Sequence, residues 1–479
     1  MRILFIQPQC QSSDIGYCLA AMPEPLALEM LAATVPDHDL RILDMRLEAD
    51  LAGALDKFAP DLVAVTALTT EVYAAQEVLA NVKRFSPEIF TLVGGHHVSL
   101  IPDDFLLPQV DGIAVGEGEV VFAPLVAALS AGESLKDVPN LIWQEKSGEF
   151  VRNAVTDEVP DMDTLPIPRR DLTDKYRSEY FFLFDKPDSS LSASRGCPYR
   201  CKFCSVWNFF HGKTRQMSAR RVVEQIAAVN TDHITFMDDN FLTSYKREDA
   251  IADMIRTEGI SKRYSMQCRT DSIVRHPELL AKWVDIGLYA VLLGLEGADD
   301  TLTNVNKKNS AKVNDEAIAI LKDHGVIIWG CFIADPDWTA DDFKRLREYV
   351  SRKEITHTQF TVLTPLPGTD LWRERFDDLL THDYNCYDIL HAVVPTRLPR
   401  EEFYKQFANL YRQTDLGPYY DLVREGKLTI DDCKRGKRIF DAMSQWEYYL
   451  EKDPVLGTCR REPSSAALKA RSKGRAVGA

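Results

Sequence analysis

At 479 residues, with 45% hydrophobic and 27% charged residues and a formal net charge of −15, the chain has a globular composition and is too long for one ordinary core. The negative charge argues against a broad nucleic-acid-binding surface, and no stretch approaches the roughly 20 apolar residues of a membrane-spanning helix. Ten cysteines without a secretion signal point to a reducing cytoplasm, since the N-terminal run MRILFIQPQ is too short for a signal peptide. In chain order, RILFIQ (2–7), LRILDM (40–45), LVAVTAL (62–68), FTLVGG (90–95) and GIAVGE (112–117) read as buried parallel strands. Between them, PLALEMLAATV, LAGALDKF and EVYAAQEVLANVKRF carry apolar residues at helical spacing. This is the βαβ rhythm of a doubly wound, Rossmann-like domain over residues 1–140. Ligands in such sheets sit beyond the carboxyl ends of the strands. There lie Thr66, Thr69 and Thr70, then Gly94, Gly95, His96 and His97, then Gly116, Glu117, Gly118 and Glu119. Each group alone reads as a strand-to-helix turn. Three on one sheet edge predict a cofactor crevice, with glycines letting a ligand approach the backbone.

Residues 141–185, with Pro160, Pro166 and Pro168, are irregular and predict a connector. From 186 to 390, SLSAS (190–194), HITFMDD (233–239), YSMQCR (264–269), AVLLGLE (290–296), VIIWGCFIAD (326–335) and HTQFTVLT (357–364) alternate with helical stretches. Six βα units give the partial barrel implied by the resemblance that the cysteines below carry, and barrel chemistry gathers at the C-terminal strand ends. Asp238, Asp239, Asn240, Gln267, Arg269, Glu296, Asp335 and the PLPGT turn at 365–369 fall there. Residues 391–455 carry EEFYKQFANLYRQT and RIFDAMSQWEYYLEK, helical patterns expected to cap the barrel mouth. The basic and small residues of 456–479 read as a disordered tail suited to weak contact with an anionic membrane. Cys10, Cys18, Cys331, Cys386, Cys433 and Cys459 read as buried or incidental thiols.

Cys197, Cys201 and Cys204, in the run RGCPYRCKFCSVW, are spaced CxxxCxxC. Three thiolates so close can hold three irons of a four-iron, four-sulfur cluster and leave the fourth open for chemistry. A zinc site or three unrelated thiols are the alternatives, although zinc usually takes two CxxC-like pairs or a histidine partner, for which His211 is the nearby candidate. Trp207, Phe209 and Phe210 follow the triplet and read equally as pocket wall or packing.

The triplet, with the aromatic Phe203 inside it, resembles the signature of radical S-adenosylmethionine (SAM) enzymes. The resemblance implies that SAM chelates the open iron and is cleaved to a 5′-deoxyadenosyl radical, fed by an external electron donor of the flavodoxin or ferredoxin type. It places Phe203 near the adenine, Asp238 or Asp239 on the SAM ammonium, Arg269 on its carboxylate and Glu296 on the ribose hydroxyls. The plainer reading of these residues is a salt-bridge network at the barrel mouth.

Upstream, VGGHHVSLIPDD and AVGEGEVVF resemble turns of the cobalamin-binding domain of cobalamin-dependent radical SAM enzymes. That resemblance puts Thr66, Thr69, Gly94, Gly95, His96, Gly116, Glu117 and Gly118 around cobalamin. No DxHxxG motif is present, so the lower cobalt ligand is left open, and His96 and His97 are expected to line the nucleotide loop. The implied activity is methylation of an unactivated carbon in a small-molecule or lipid substrate held between the two domains. IGYCLAAMPEPLALEMLAATV and EEFYKQFANLYRQT are similar to hopanoid C-3 methylases, which would suit a cytoplasmic protein peripheral to the inner membrane. An oxidative cyclase or ring-rearranging enzyme on the same scaffold, and a non-catalytic cobalamin or redox sensor, are the rival readings.

Overall fold

The computed structural model describes residues 1–9, 21–156, 158–182, 185–298, 310–355, 357–412, 421, 423–426 and 429–457. The expected tail from residue 458 onward, with Cys10, Cys18 and Cys459, lies outside the described residues. The early strands are β1 (Arg2–Gln7), β2 (Ala21–Met22), β3 (Asp39–Asp44), β4 (Leu62–Thr66), β5 (Phe90–Gly94), β6 (Gly112–Ala114), β7 (Leu141–Gln144) and β8 (Phe150–Arg152). All but β2 form a seven-stranded sheet in the order β3-β1-β4-β5-β6-β7-β8. Its strands are parallel from β3 to β6, as the βαβ rhythm predicts. Successive residues of β1 enter opposite cores: Ile3 and Phe5 pack with helices Leu26–Ala33 and Gly118–Ala131, Leu4 and Ile6 with helices Leu51–Phe58 and Val72–Phe85. A strand covered on both faces must be apolar throughout, which is why these runs show no alternation. The strand order reverses between β1 and β4, the place where such sheets bind ligands.

The predicted connector is less irregular than its prolines suggest. β7 and β8 extend the first sheet antiparallel, so that sheet runs past residue 140. A 3-10 stretch, Arg170–Glu179, is then stitched back onto the first domain through Tyr176 to Glu48 (2.6 Å) and Tyr180 to Asp44 (3.2 Å). Strands of four and three residues are too short to give a periodic signal, and β7 is fixed by pairing with β6 some thirty residues upstream.

The later strands are β9 (Phe181–Phe182), β10 (Asp188–Leu191), β11 (Ser194–Arg195), β12 (Arg215–Gln216), β13 (His233–Phe236), β14 (Arg263–Cys268), β15 (Leu288–Glu296), β16 (Ile327–Ala334) and β17 (His357–Val362). Six of them form an open parallel sheet, β10-β13-β14-β15-β16-β17, the expected partial barrel. An open barrel has two edges with unpaired backbone groups, and side chains cover both. At β10 the Glu24 carboxylate accepts from Ser190 N (2.8 Å) and Arg170 donates to Ser190 O (2.6 Å). At β17 the Tyr411 hydroxyl accepts from Phe360 N (2.9 Å) and donates to Phe360 O (2.6 Å).

That last contact corrects the expected helical cap. Helix Arg400–Arg412 lies along the β17 edge rather than over the mouth. Phe403, Tyr404, Phe407, Met443 and Tyr449 share one core with the barrel, so 391–455 is a layer of it and not a separate body. Conversely, Tyr384, Cys386, Tyr387 and Val393 are built into a core of the first domain. Among the described residues no helix is long and apolar enough to cross a membrane.

Candidate active site between two sheet edges

The cysteine loop leaves β11 and returns through β12, which pair antiparallel with Arg195 opposite Arg215. Gly196, at φ +85°, opens it; a Cβ there would lie 2.1 Å from Lys213 O, so no side chain fits. The loop is pinned from outside. Arg200 reaches Asp370 (3.0 Å) and covers the Trp207 ring (4.2 Å), Lys202 O accepts from Leu371 N (2.9 Å), and Tyr199 donates to Asp271 (2.9 Å). Phe203 packs on Ile333, Leu363 and Leu371, beside the ends of β16 and β17.

Cys197, Cys201 and Cys204 are all half-buried and reduced. Burial first, and the neighbouring Cys201, Asp239 and Cys197, push the Cys204 thiol up to about 12. Among the described residues no group of three or more His, Cys, Asp or Glu converges as a single ion demands, and His211 is exposed. A cubane fits, because its irons occupy separate corners and each thiolate approaches its own.

Above β13 the two aspartates have different surroundings. Asp238 is enclosed, accepting from Ala193 N (3.0 Å) and from Ser194 Oγ, and so fastens the end of β13 to the start of the loop's neck. Asp239 is half-exposed, accepts from Gly196 N (3.2 Å) and is pushed by burial up to about 6. Arg269 stacks over Tyr199 (3.6 Å) and donates to Asp271 (2.9 Å). Glu296 ends β15 in a left-handed conformation, φ +65°, beside a register shift. Leu292, Gly294, Glu296, Cys331, Gln359 and Thr361 are half-buried and alternate with buried neighbours, while Met237 is 41% exposed. A row of half-buried positions therefore runs along β15, β16 and β17.

The first sheet presents its carboxyl edge to this loop. Thr66 ends β4, and Leu68, two residues on, is 50% exposed. Gly95, at φ +109°, has Thr66 Oγ1 and the Ala67 backbone under 3.0 Å from where a Cβ would stand, so the turn itself demands glycine. Gly94 lies in ordinary contact with Ala114, Gly118 abuts Leu31, and Gly116 faces open space with Asn140 Nδ2 at 3.7 Å. An open glycine and an exposed leucine thus stand on this sheet edge, the side where such sheets bind ligands.

The two histidines have different partners. His97 is enclosed, bonded to Asp104 (3.0 Å) and to Thr69 (3.2 Å). His96 turns to the cysteine loop, its Nε2 on Ser205 Oγ (2.7 Å) and its ring stacked on Phe209 (4.8 Å). Burial, with His97 beside it, holds His96 down at about 4, so the ring is neutral at pH 7. Glu117 and Glu119 bind Arg195, and Glu117 also binds Arg215. Sequence reading missed Arg195, Arg215 and Ser205; the only hint was a basic residue flanking the triplet.

A family model described as the Radical SAM superfamily matches residues 191–350, and one described as a B12 binding domain matches 13–126. The hopanoid C-3 methylase of Methylococcus capsulatus is 34% identical over 391 residues, 80% of this chain and 74% of its own length. The anaerobic magnesium-protoporphyrin IX monomethyl ester cyclase of Rubrivivax gelatinosus is 26% identical, over 86% of this chain and 77% of its length. The fold matches the cobalamin-dependent S-adenosylmethionine radical enzyme OxsB, solved with aqua-cobalamin and S-adenosylmethionine bound. That match has a TM-score of 0.70 at 16% identity and covers 99% of this chain and 75% of that one.

Proposed function

The chain belongs to the cobalamin-binding radical SAM methyltransferases, and from that membership we propose that it methylates an unactivated carbon of a polycyclic terpenoid lipid of the hopanoid kind. The observation that carries the substrate class is 34% identity to a hopanoid C-3 methylase over 80% of the chain. The half-exposed apolar rim of the barrel, with Met237 and Leu292, suits such a substrate.

When bound, the four-iron cluster, SAM and cobalamin supply hydrogen abstraction and methyl transfer, the chemistry that side chains lack. In this reading Cys197, Cys201 and Cys204 hold three irons. Asp239 meets the SAM ammonium, as Asp238 is engaged by Ser194 and Ala193. Arg269 orients the SAM carboxylate, Glu296 the ribose and Phe203 the adenine. Thr66, Thr69, Gly94, Gly95, His96, Gly116 and Gly118 line the corrin edge, and the neutral, Ser205-bonded His96 is turned away from any role as cobalt ligand. The electron comes from an external flavodoxin- or ferredoxin-type donor, and the lipid is met by peripheral membrane contact.

Anaerobic protein reconstituted with iron, sulfide and cobalamin is incubated with SAM, a strong reductant and a desmethyl hopanoid in detergent. Lipid mass is expected to rise by one CH₂ while 5′-deoxyadenosine accumulates. The match to cyclases is more distant; loss of hydrogen without added carbon would transfer the assignment to them.

A further inference from the structure

Glu117 lies in the corrin-edge turn, yet both its oxygens are turned elsewhere. Oε2 accepts from Arg195 and Oε1 from Arg215, while Glu119 holds the other side of Arg195 (2.5 Å). The two arginines stand directly opposite each other on the β11–β12 ladder, the neck of the cysteine loop. Like charges in that register repel, and the side chains of Arg195 and Arg215 are only 12% and 22% exposed. Two carboxylates from the first domain neutralise them. Without those carboxylates the neck would hold two poorly solvated cations, a costly state.

We propose that Glu117 is a positioning residue for the cysteine loop, clamping its two ends through Arg195 and Arg215 so that the cluster site and the corrin edge order together. The proposal rests on the placement of cobalamin at that edge. A second contact runs in parallel, from His96 to Ser205 (2.7 Å), the residue after Cys204. Glu117 follows Gly116, and His96 follows Gly95, so each contact is one residue from a glycine of the crevice. A ligand that fixes these turns therefore fixes the loop at its neck and near its last cysteine. By reciprocity, a filled cluster site raises affinity for cobalamin by the same factor.

The test uses full-length protein, first cluster-free and then reconstituted, with hydroxocobalamin as the probe. In wild type, cobalamin is expected to slow amide hydrogen exchange across residues 196–214 by about fivefold or more, the lower end of ordinary coupling between sites. It should also shift the electron paramagnetic resonance signal of the reduced cluster. In Glu117→Gln both effects vanish, while cobalamin uptake read from the optical spectrum stays at wild-type stoichiometry. Ser205→Ala, a milder change, serves if the first variant does not fold, and it too should weaken the coupling. Coupling unchanged in both variants overturns the clamp and leaves the cobalamin edge standing. Loss of cobalamin uptake in Glu117→Gln overturns it in favour of a corrin contact. Wild-type protein that takes up no cobalamin overturns the edge assignment and the clamp together.

Discussion

Cys201 stands at the centre of the triplet, four residues after Cys197 and three before Cys204. Removing one thiolate leaves two, too few to retain the cluster with a single open iron. Cys201→Ala is expected to lower 5′-deoxyadenosine formation to background while leaving cobalamin uptake intact; SAM cleavage that persists would refute the ligand assignment. The triplet was legible because its members are contiguous in the chain. Glu117 was legible only as a crevice residue, since its partners lie 78 and 98 residues away. Asp238 and Asp239 could not be separated by sequence, because the difference between them is what Ser194 and Gly196 do in space.

Among the elements, the edge strands govern how an open barrel is sealed. Tyr411 satisfies both free backbone groups of Phe360, and its ring packs edge-on against Phe360 (5.0 Å). Tyr411→Phe keeps the ring and strands a buried N–H and C=O, which is expected to cost about 2–4 kcal/mol. A lower urea midpoint at unchanged slope would show it; an unchanged midpoint would mean that the edge is solvated. The helical pattern of Arg400–Arg412 predicted the element itself. Its placement on the β17 edge depended on a hydrogen-bonding need that periodicity does not record.

Across the whole molecule, the connector is bound into both domains by buried charges. Glu29, on helix Leu26–Ala33, is fully enclosed, accepts from Thr173 Oγ1, and has one oxygen without a partner. Burial, with Glu24 nearby, pushes its carboxyl well above the ordinary 4.5. The folded protein thus keeps a proton that the unfolded chain releases. This group's contribution is fully present below pH 4.5 and is lost as pH rises from there through its raised folded value. Thermal melts of wild type should fall between pH 5 and pH 8, and Glu29→Gln should flatten that fall, gaining on the order of 1–2 kcal/mol at pH 8. Parallel melting curves for the two proteins would show that Glu29 is ionised in the fold.

What the sequence determined by itself was local: the apolar runs of strands buried on both faces, the helical spacings between them, and three cysteines near enough in the chain to share one cluster. Those features depend on covalent neighbours and on a period of burial, and both are written along the chain. The tertiary structure alone decided which of Asp238 and Asp239 is enclosed, that His96 faces Ser205, and that Glu117 joins the carboxyl edge of the first sheet to the neck of the cysteine loop. These are pairings of charges and hydrogen bonds between distant segments. Their energies depend on burial and separation, which exist only once the two sheet edges meet.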